Sequence, residues 1–308
     1  MASVRLVATA PGKLMLLGEH AVLYGHHAMV CAVDQVLTVE LRTRSDNKII
    51  IDSELGHYES TVQELSADKS FRFVLACIEQ YRNKILSGFN LSITSQFSSL
   101  IGLGSSAAVT AATCAVISAW LGFSQQQESL FHTGLAAIRK VQSKGSGADL
   151  AASIYGGVLS YRADPLSIVK VPNLAPLTAV YAGYKTPTVH VIARVDALTA
   201  EFPEVISEIY RSIDRISLKA AAAWKQQDWN QVGKLMDINQ GLMEALSVSD
   251  PTCSQIVYQL REIESIYGAK ISGSGLGDCI VGLGKIKDHS LDWPVIPVKI
   301  TKRGVYVE

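Results

Sequence analysis

Residues Gly102-Leu103-Gly104-Ser105-Ser106-Ala107-Ala108 stand between a strand-like run, Asn90 to Phe97, and a long Ala-rich segment that reads as a buried helix. Glycines and hydroxyls therefore meet a helix N-terminus. Free backbone N–H groups and the positive end of the helix dipole converge there, and glycines let a polyanion approach the backbone closely. The chemistry this predicts is phosphate binding. A Walker A loop is excluded, because no stretch supplies Gly-x4-Gly-Lys-Ser/Thr. Gly102-x-Gly104-x-x-Ala107 fits a relaxed dinucleotide-binding pattern, whose ribose-binding acid should end a second strand about 20 residues on. The candidate there, Glu128, lies in a Gln/Ser/Leu stretch that reads as helical, which argues against it. A Gly/Ser turn that only caps a helix is the plainer alternative, and the loop by itself leaves it open.

Two further segments narrow the choice. Ala10-Pro11-Gly12-Lys13 leads through Leu14 to Leu17 into Gly18-Glu19-His20-Ala21-Val22-Leu23-Tyr24-Gly25. Near the other end, Lys270-Ile271-Ser272-Gly273-Ser274-Gly275-Leu276-Gly277-Asp278-Cys279 is a second Gly/Ser-rich loop, before the apolar run Ile280 to Leu283. With all three segments in this order, the chain resembles the GHMP kinases over nearly its whole length. Within that superfamily it is most similar to the mevalonate kinases, whose GEHAVVYG motif matches Gly18 to Gly25. The stretch Leu235-Met236-Asp237-Ile238-Asn239-Gln240, with Leu242 and Ala245 to Ser249, matches the helix and turn before that family's last glycine loop. One segment departs. The family typically carries a magnesium-binding Glu eleven positions before its catalytic Asp; here Lys144-Gly145-Ser146-Gly147-Ala148-Asp149 supplies the Asp, but the upstream position is Ile138. That segment looks more like phosphomevalonate kinases, which stay as the alternative.

The resemblance implies an α+β chain of two domains, residues 1–174 as an N-terminal ATP-binding domain and 175–308 as a ferredoxin-like C-terminal domain, with the site in the cleft between them. It implies transfer of the γ-phosphate of ATP to the primary hydroxyl of (R)-mevalonate in isoprenoid biosynthesis, with Mg²⁺ as cofactor. Gly102, Leu103, Gly104, Ser105, Ser106 and Ala107 would cradle the phosphates, joined by Gly273, Ser274 and Gly275 from the last loop. Ser106, rather than Ser105, is the expected metal ligand. Asp149 would be the general base or hydroxyl orienter, and Lys13 a compact cation near the γ-phosphate and the attacking oxygen. His20 is an expected substrate contact and Glu19 an expected structural residue, while the pair His26-His27 reads as an ordinary loop. Plainer readings remain for each, an Asx turn for Asp149 and a surface Lys after a Pro-Gly turn for Lys13. Lys13, Arg139, Lys140 and Lys144 surround the acceptor-side motifs, a moderate cationic supply that suits mevalonate better than a substrate bearing a phosphate. A binder that keeps the fold without the chemistry would have no need of Lys13, Ser106 and Asp149 together.

The elements that must position these residues follow from patterning. Strands are expected near Arg5 to Ala10, Met29 to Arg42, Lys48 to Ser53 and Asn90 to Phe97, and a helix over Asp68 to Leu86 whose Phe71, Val74, Ile78, Tyr81 and Ile85 share one face. Beyond Gly156-Gly157, strands near Val158 to Tyr161, Leu177 to Tyr181 and Val189 to Ala193 are expected. Helices over Pro203 to Gln226, Trp229 to Leu246 and Cys253 to Tyr267 follow, then closing strands. With 308 residues, 48% hydrophobic and 18% charged, the chain can bury cores of ordinary size. The balance of 28 basic against 28 acidic residues gives no long-range pull toward nucleic acid or an anionic membrane, so neither is an expected partner. A small-molecule substrate is the expected partner, and a homodimer is left open. Five dispersed cysteines without a CxxC pair suggest neither disulfides nor structural zinc, and fit a cytoplasmic setting. The apolar interval Ala107 to Phe123 is about 17 residues, short of the roughly 20 a membrane span needs. Met1 to Arg5 run into a strand pattern without a signal-peptide core.

Overall fold

The structure, a computed structural model, describes residues 4–142, 144–286 and 291–308, so that Met1 to Ser3 of the N-terminal run lie outside the described residues. The chain begins with β1 (Arg5–Leu17), β2 (His27–Thr43), β3 (Lys48–Ser53) and β4 (Gly56–Thr61), then α1 (Arg72–Tyr81) and β5 (Phe89–Ser95). Three helices follow, α2 (Ser105–Trp120), α3 (Gln127–Val141) and α4 (Ala148–Tyr155), and then the hairpin β6 (Val158–Ala163) and β7 (Leu166–Val171). After β8 (Leu177–Lys185) come α5 (Thr188–Glu201), α6 (Pro203–Lys225), α7 (Trp229–Ala245) and α8 (Pro251–Arg261). The chain closes with β9 (Ile266–Ser272), β10 (Gly277–Gly284), β11 (Val295–Ile296) and β12 (Tyr306–Val307).

Two sheets result. The first has the order β12-β1-β2-β5-β3-β4, and β2 is long enough to hold β5 along Leu37 to Thr43 and β6 along His27 to Cys31. The second is antiparallel, in the order β11-β8-β10-β9. Each backs a hydrophobic core: α1 to α4 fill the first, which α6 also joins, and α7 and α8 pack on the second sheet, with α5 and the first half of α6 completing that core. The α2 helix lies on β1 and β2 and is buried on nearly every side, which its small side chains permit. Among the described residues, no helix is long and apolar enough to cross a membrane.

Several expectations shift. The first strand continues past Ala10 to Leu17, because Pro11-Gly12 forms a bulge in the pairing with β2 and not a turn. The expected helix over Asp68 to Leu86 is shorter at both ends, since Asp68 accepts the N–H groups of Ser70 and Phe71 in a turn before it. Its stripe holds, with Phe71, Val74, Ile78, Tyr81 and Ile85 all buried. Val189 to Ala193 is not a strand but lies within α5: Val191 and Val195 are buried one turn apart while Val189 is exposed, a period that a five-residue window with four β-branched or small residues conceals. The last expected helix stops at Arg261, and Tyr267 belongs to β9.

Candidate active site

The bulge at Pro11-Gly12 turns Lys13 inward, where it is 5% exposed. Its N–H donates to the Leu103 carbonyl at 2.8 Å, and its Nζ lies 3.1 Å from Oδ2 of Asp149. Asp149 reaches it because α4 packs on β1, starting from Gly147 in a left-handed conformation. The lysine stem crosses Gly104, at φ +78°, so closely that a Cβ there would lie 2.6 Å from Cγ of Lys13. Only glycine fits, on both counts. Burial alone would depress the ammonium of Lys13, but the charges of Asp149 and Asp278 offset it and hold its pKa above the ordinary lysine value.

Ser105 and Ser106 open α2, with Gly104 in front of them, so the free N–H groups of the helix face the cleft. Opposite stands the last glycine loop. Ser272 Oγ accepts the N–H of Met15 at 2.9 Å, and the carbonyl of Ser274 accepts from Nε2 of His20 at 2.8 Å. Because a carbonyl only accepts, Nε2 carries the proton, and Nδ1 of a neutral ring is left as an acceptor. Burial lowers the His20 pKa, in keeping with a neutral ring. His20 sits at φ +60°, ψ −55°, the centre of a γ-turn closed by the Ala21 N–H on the Glu19 carbonyl at 2.7 Å. That conformation is strained for any side chain, and it aims the ring across the cleft.

The cleft brings together Lys13, His20, Gly102, Gly104, Ser105, Ser106, Ala107, Asp149, Gly273 and Ser274. It does not bring in Leu103, which is buried in the core, or Gly275, whose Cα packs on the Val248 carbonyl. Arg139 and Lys140 are exposed on α3 and outside the lining. Ile138 does line it, leaving an apolar side chain at the position where a Glu is expected. Lys144 lines it too, but its Nζ lies 2.6 Å from Asp196 of α5, which also accepts from Tyr24 at 2.5 Å. Asp196 so ties the loop before Asp149 to the N-terminal motif.

Other residues join the site, Lys185 from outside any motif and the rest from motif segments that gave no hint of their pairing. Lys185, at the end of β8, faces Asp278 at 3.3 Å. Behind His20, Glu19 is fully buried against Lys270, and Asn239 donates to its other oxygen at 3.5 Å. Burial pushes the Lys270 pKa down, with Glu19 working the other way. Asn239 and Gln240 are buried on α7, and Gln240 accepts the N–H of Ile271 at 3.0 Å. This polar layer supports the cleft from beneath.

Comparison with known proteins agrees with the geometry. Residues 72–157 match the GHMP kinases N terminal domain and residues 217–290 the GHMP kinases C terminal domain. A mevalonate kinase of Thermococcus sibiricus is 31% identical over 99% of this chain and 99% of its own. One from Archaeoglobus fulgidus is 32% identical over 98% of this chain and 100% of its own. The crystal structure of the Methanococcus jannaschii mevalonate kinase superposes with a TM-score of 0.80 at 25% identity, covering 96% of this chain and 98% of that one. An inward lysine, an acidic partner at a helix start and two facing glycine loops thus occur in a chain whose relatives match it end to end, and the chain belongs to the GHMP kinases, in the mevalonate kinase family.

Proposed function

We propose that this protein transfers the γ-phosphoryl group of ATP to the primary hydroxyl of (R)-mevalonate, giving 5-phosphomevalonate and ADP in isoprenoid biosynthesis, in the cytoplasm. The observation that carries the reading is the Lys13–Asp149 pair, 3.1 Å apart and facing the open N-terminus of α2. Phosphoryl transfer asks little covalent chemistry of a protein; it asks for positioning and for charge where charge develops. Asp149 would orient the acceptor hydroxyl and take its proton, while Lys13, between Asp149 and the phosphate loop, stabilises the oxygen as it attacks. The N–H groups at the start of α2, with Gly273 and Ser274 opposite, would hold the phosphates. His20 offers Nδ1 to the acceptor. When bound, Mg²⁺ would neutralise phosphate charge, and the hard oxygen of Ser106 suits it. The domain division is placed near residues 174 and 175, a reading supported by the change of sheet between β7 and β8, although β12 returns to pair with β1.

Two tests follow. ADP release should be measured with mevalonate, phosphomevalonate, galactose and homoserine. A phosphomevalonate site must neutralise close to two extra charges, and with Arg139 and Lys140 outside the cleft and Lys144 paired, the free cationic supply is thin. The expected kcat/KM for mevalonate is at least about tenfold above that for phosphomevalonate, roughly 1.4 kcal/mol of transition-state binding. The reverse preference would make the segment around Asp149 the truer guide to the acceptor. In the second test, Ser106→Ala should raise the Mg²⁺ concentration needed for half-maximal rate and weaken nucleotide use, with little effect on folding. A variant that matches wild type at limiting Mg²⁺ would move the metal role to Ser105 or remove it from both.

A further inference from the structure

The last glycine loop ends on a residue that its surroundings do not explain. Asp278 is 6% exposed, and its backbone is held at φ +64°, a region that side chains other than Asn and Asp seldom enter. Its carboxylate presses on the phosphate loop from the far side of the cleft: a Cβ on Gly102 would lie 3.0 Å from Cγ and Oδ1 of Asp278. Lys185 Nζ stands 3.3 Å from Oδ1, near enough to attract it, yet Oδ1 accepts no hydrogen bond among the described residues. In the same loop the buried hydroxyl of Ser274 also makes no hydrogen bond among the described residues. Buried polar atoms are normally hydrogen-bonded, and a buried carboxylate oxygen held only by an ion pair at 3.3 Å is costly to leave.

The position makes the cost sharper. A carboxylate against the loop that would cradle a nucleotide's phosphates adds like-charge repulsion when they arrive, unless a cation sits between. Lys13 is already engaged with Asp149, and Lys185 is the single cation within ion-pair distance of Oδ1 of Asp278 among the described residues, at 3.3 Å and without a hydrogen bond. A buried carboxylate that faces the phosphate loop, and whose Oδ1 accepts no hydrogen bond among the described residues, is the donor a hard divalent cation takes, and the Ser274 hydroxyl of the same loop, also without a hydrogen bond there, suits a phosphate oxygen. We propose that Asp278 is a ligand of the divalent cation that accompanies the nucleotide, contributed from β10 of the second sheet, so that the metal joins the two glycine loops. The proposal rests on the reading of this cleft as a nucleotide phosphate site. A bare counterion of Lys185 is the competing role.

The test uses Mn²⁺ as probe. The full-length protein is titrated with Mn²⁺ and a non-hydrolysable ATP analogue, without acceptor, and free Mn²⁺ is followed by electron paramagnetic resonance. Asp278→Asn keeps the shape and tolerates the positive φ, and Asp278→Gly relaxes it, so neither variant is expected to unfold the loop. Both should bind Mn²⁺ in the ternary complex at least about tenfold more weakly than wild type, Gly more so because Asn keeps one oxygen donor. Binding of the analogue without metal should stay equal or tighten, since a negative charge has left the phosphate site. Unchanged Mn²⁺ affinity in both variants overturns the proposal and leaves Asp278 as the counterion of Lys185. A wild-type protein that holds no Mn²⁺ with the analogue overturns the nucleotide reading as well. Weakened Mn²⁺ binding in a protein that does not phosphorylate mevalonate supports the proposal and removes only the acceptor.

Discussion

Asp149→Asn is expected to lower kcat by about 10²-fold or more, the range that a positioned general base supplies, while ATP binding changes little. Asparagine keeps the outline of the side chain and can still accept a hydrogen bond, but it neither takes a proton at neutral pH nor carries the charge that Lys13 faces at 3.1 Å. Because the Asp149 side chain is 43% exposed and stands at the start of α4, the fold does not depend on it. The loss should therefore appear in turnover and not in stability. The same change removes one of the two carboxylates that hold the Lys13 ammonium above its ordinary pKa, so that pKa should fall. Turnover close to wild type would return Asp149 to an Asx turn and take it out of the mechanism. A large loss of thermal stability in place of a rate loss would do the same.

What was legible in the chain is what local sequence encodes. The loop Gly102 to Ala107 reads as a helix start because glycine, hydroxyl and small apolar residues follow one another in a few positions, and that is where α2 begins. The stripe Phe71, Val74, Ile78, Tyr81 and Ile85 is readable because its period is local, and all five residues are buried. Val189 to Ala193 misleads for the same reason, since over five residues alternation and a helical face look alike, and only the packing of Val191 and Val195 in the second core decides. The sheet change after β7 and the return of β12 to β1 are set by pairings far apart in sequence, which no window reveals. The site divides along the same line. Lys13, Asp149 and Asp278 sit in recognisable segments, but Lys185 and Asp196 do not, and the pairings of Asp278 with Lys185 and of Asp196 with Lys144 form only when β10, β8 and α5 close over the first sheet. Leu103 and Gly275 show the converse: each belongs to a glycine motif, yet one fills the core and the other packs on a turn.

Lys270→Met is expected to destabilise the fold by about 3–5 kcal/mol, the cost of breaking a buried ion pair and leaving one charge without its partner. Lys270 and Glu19 are both essentially inaccessible to solvent, and they come from opposite sides of the cleft, one from β9 of the second sheet and the other from the motif after β1. Methionine fills much the same volume, so lost packing contributes little. What remains is the Glu19 carboxylate, whose side chain then keeps, among the described residues, only the long contact from Asn239 at 3.5 Å. Denaturant unfolding of the single variant and of the double variant Glu19→Leu/Lys270→Met separates charge from shape: removing both charges should recover most of the loss, because a buried pair exchanged for apolar residues of similar size is often close to neutral. The double variant should nonetheless bind the acceptor less well, since the Glu19 side chain anchors the γ-turn at His20 to β9 and that anchor is gone. A single variant within about 1 kcal/mol of wild type, the ordinary worth of an exposed pair, would mean that the two sides of the cleft are not locked by this bridge.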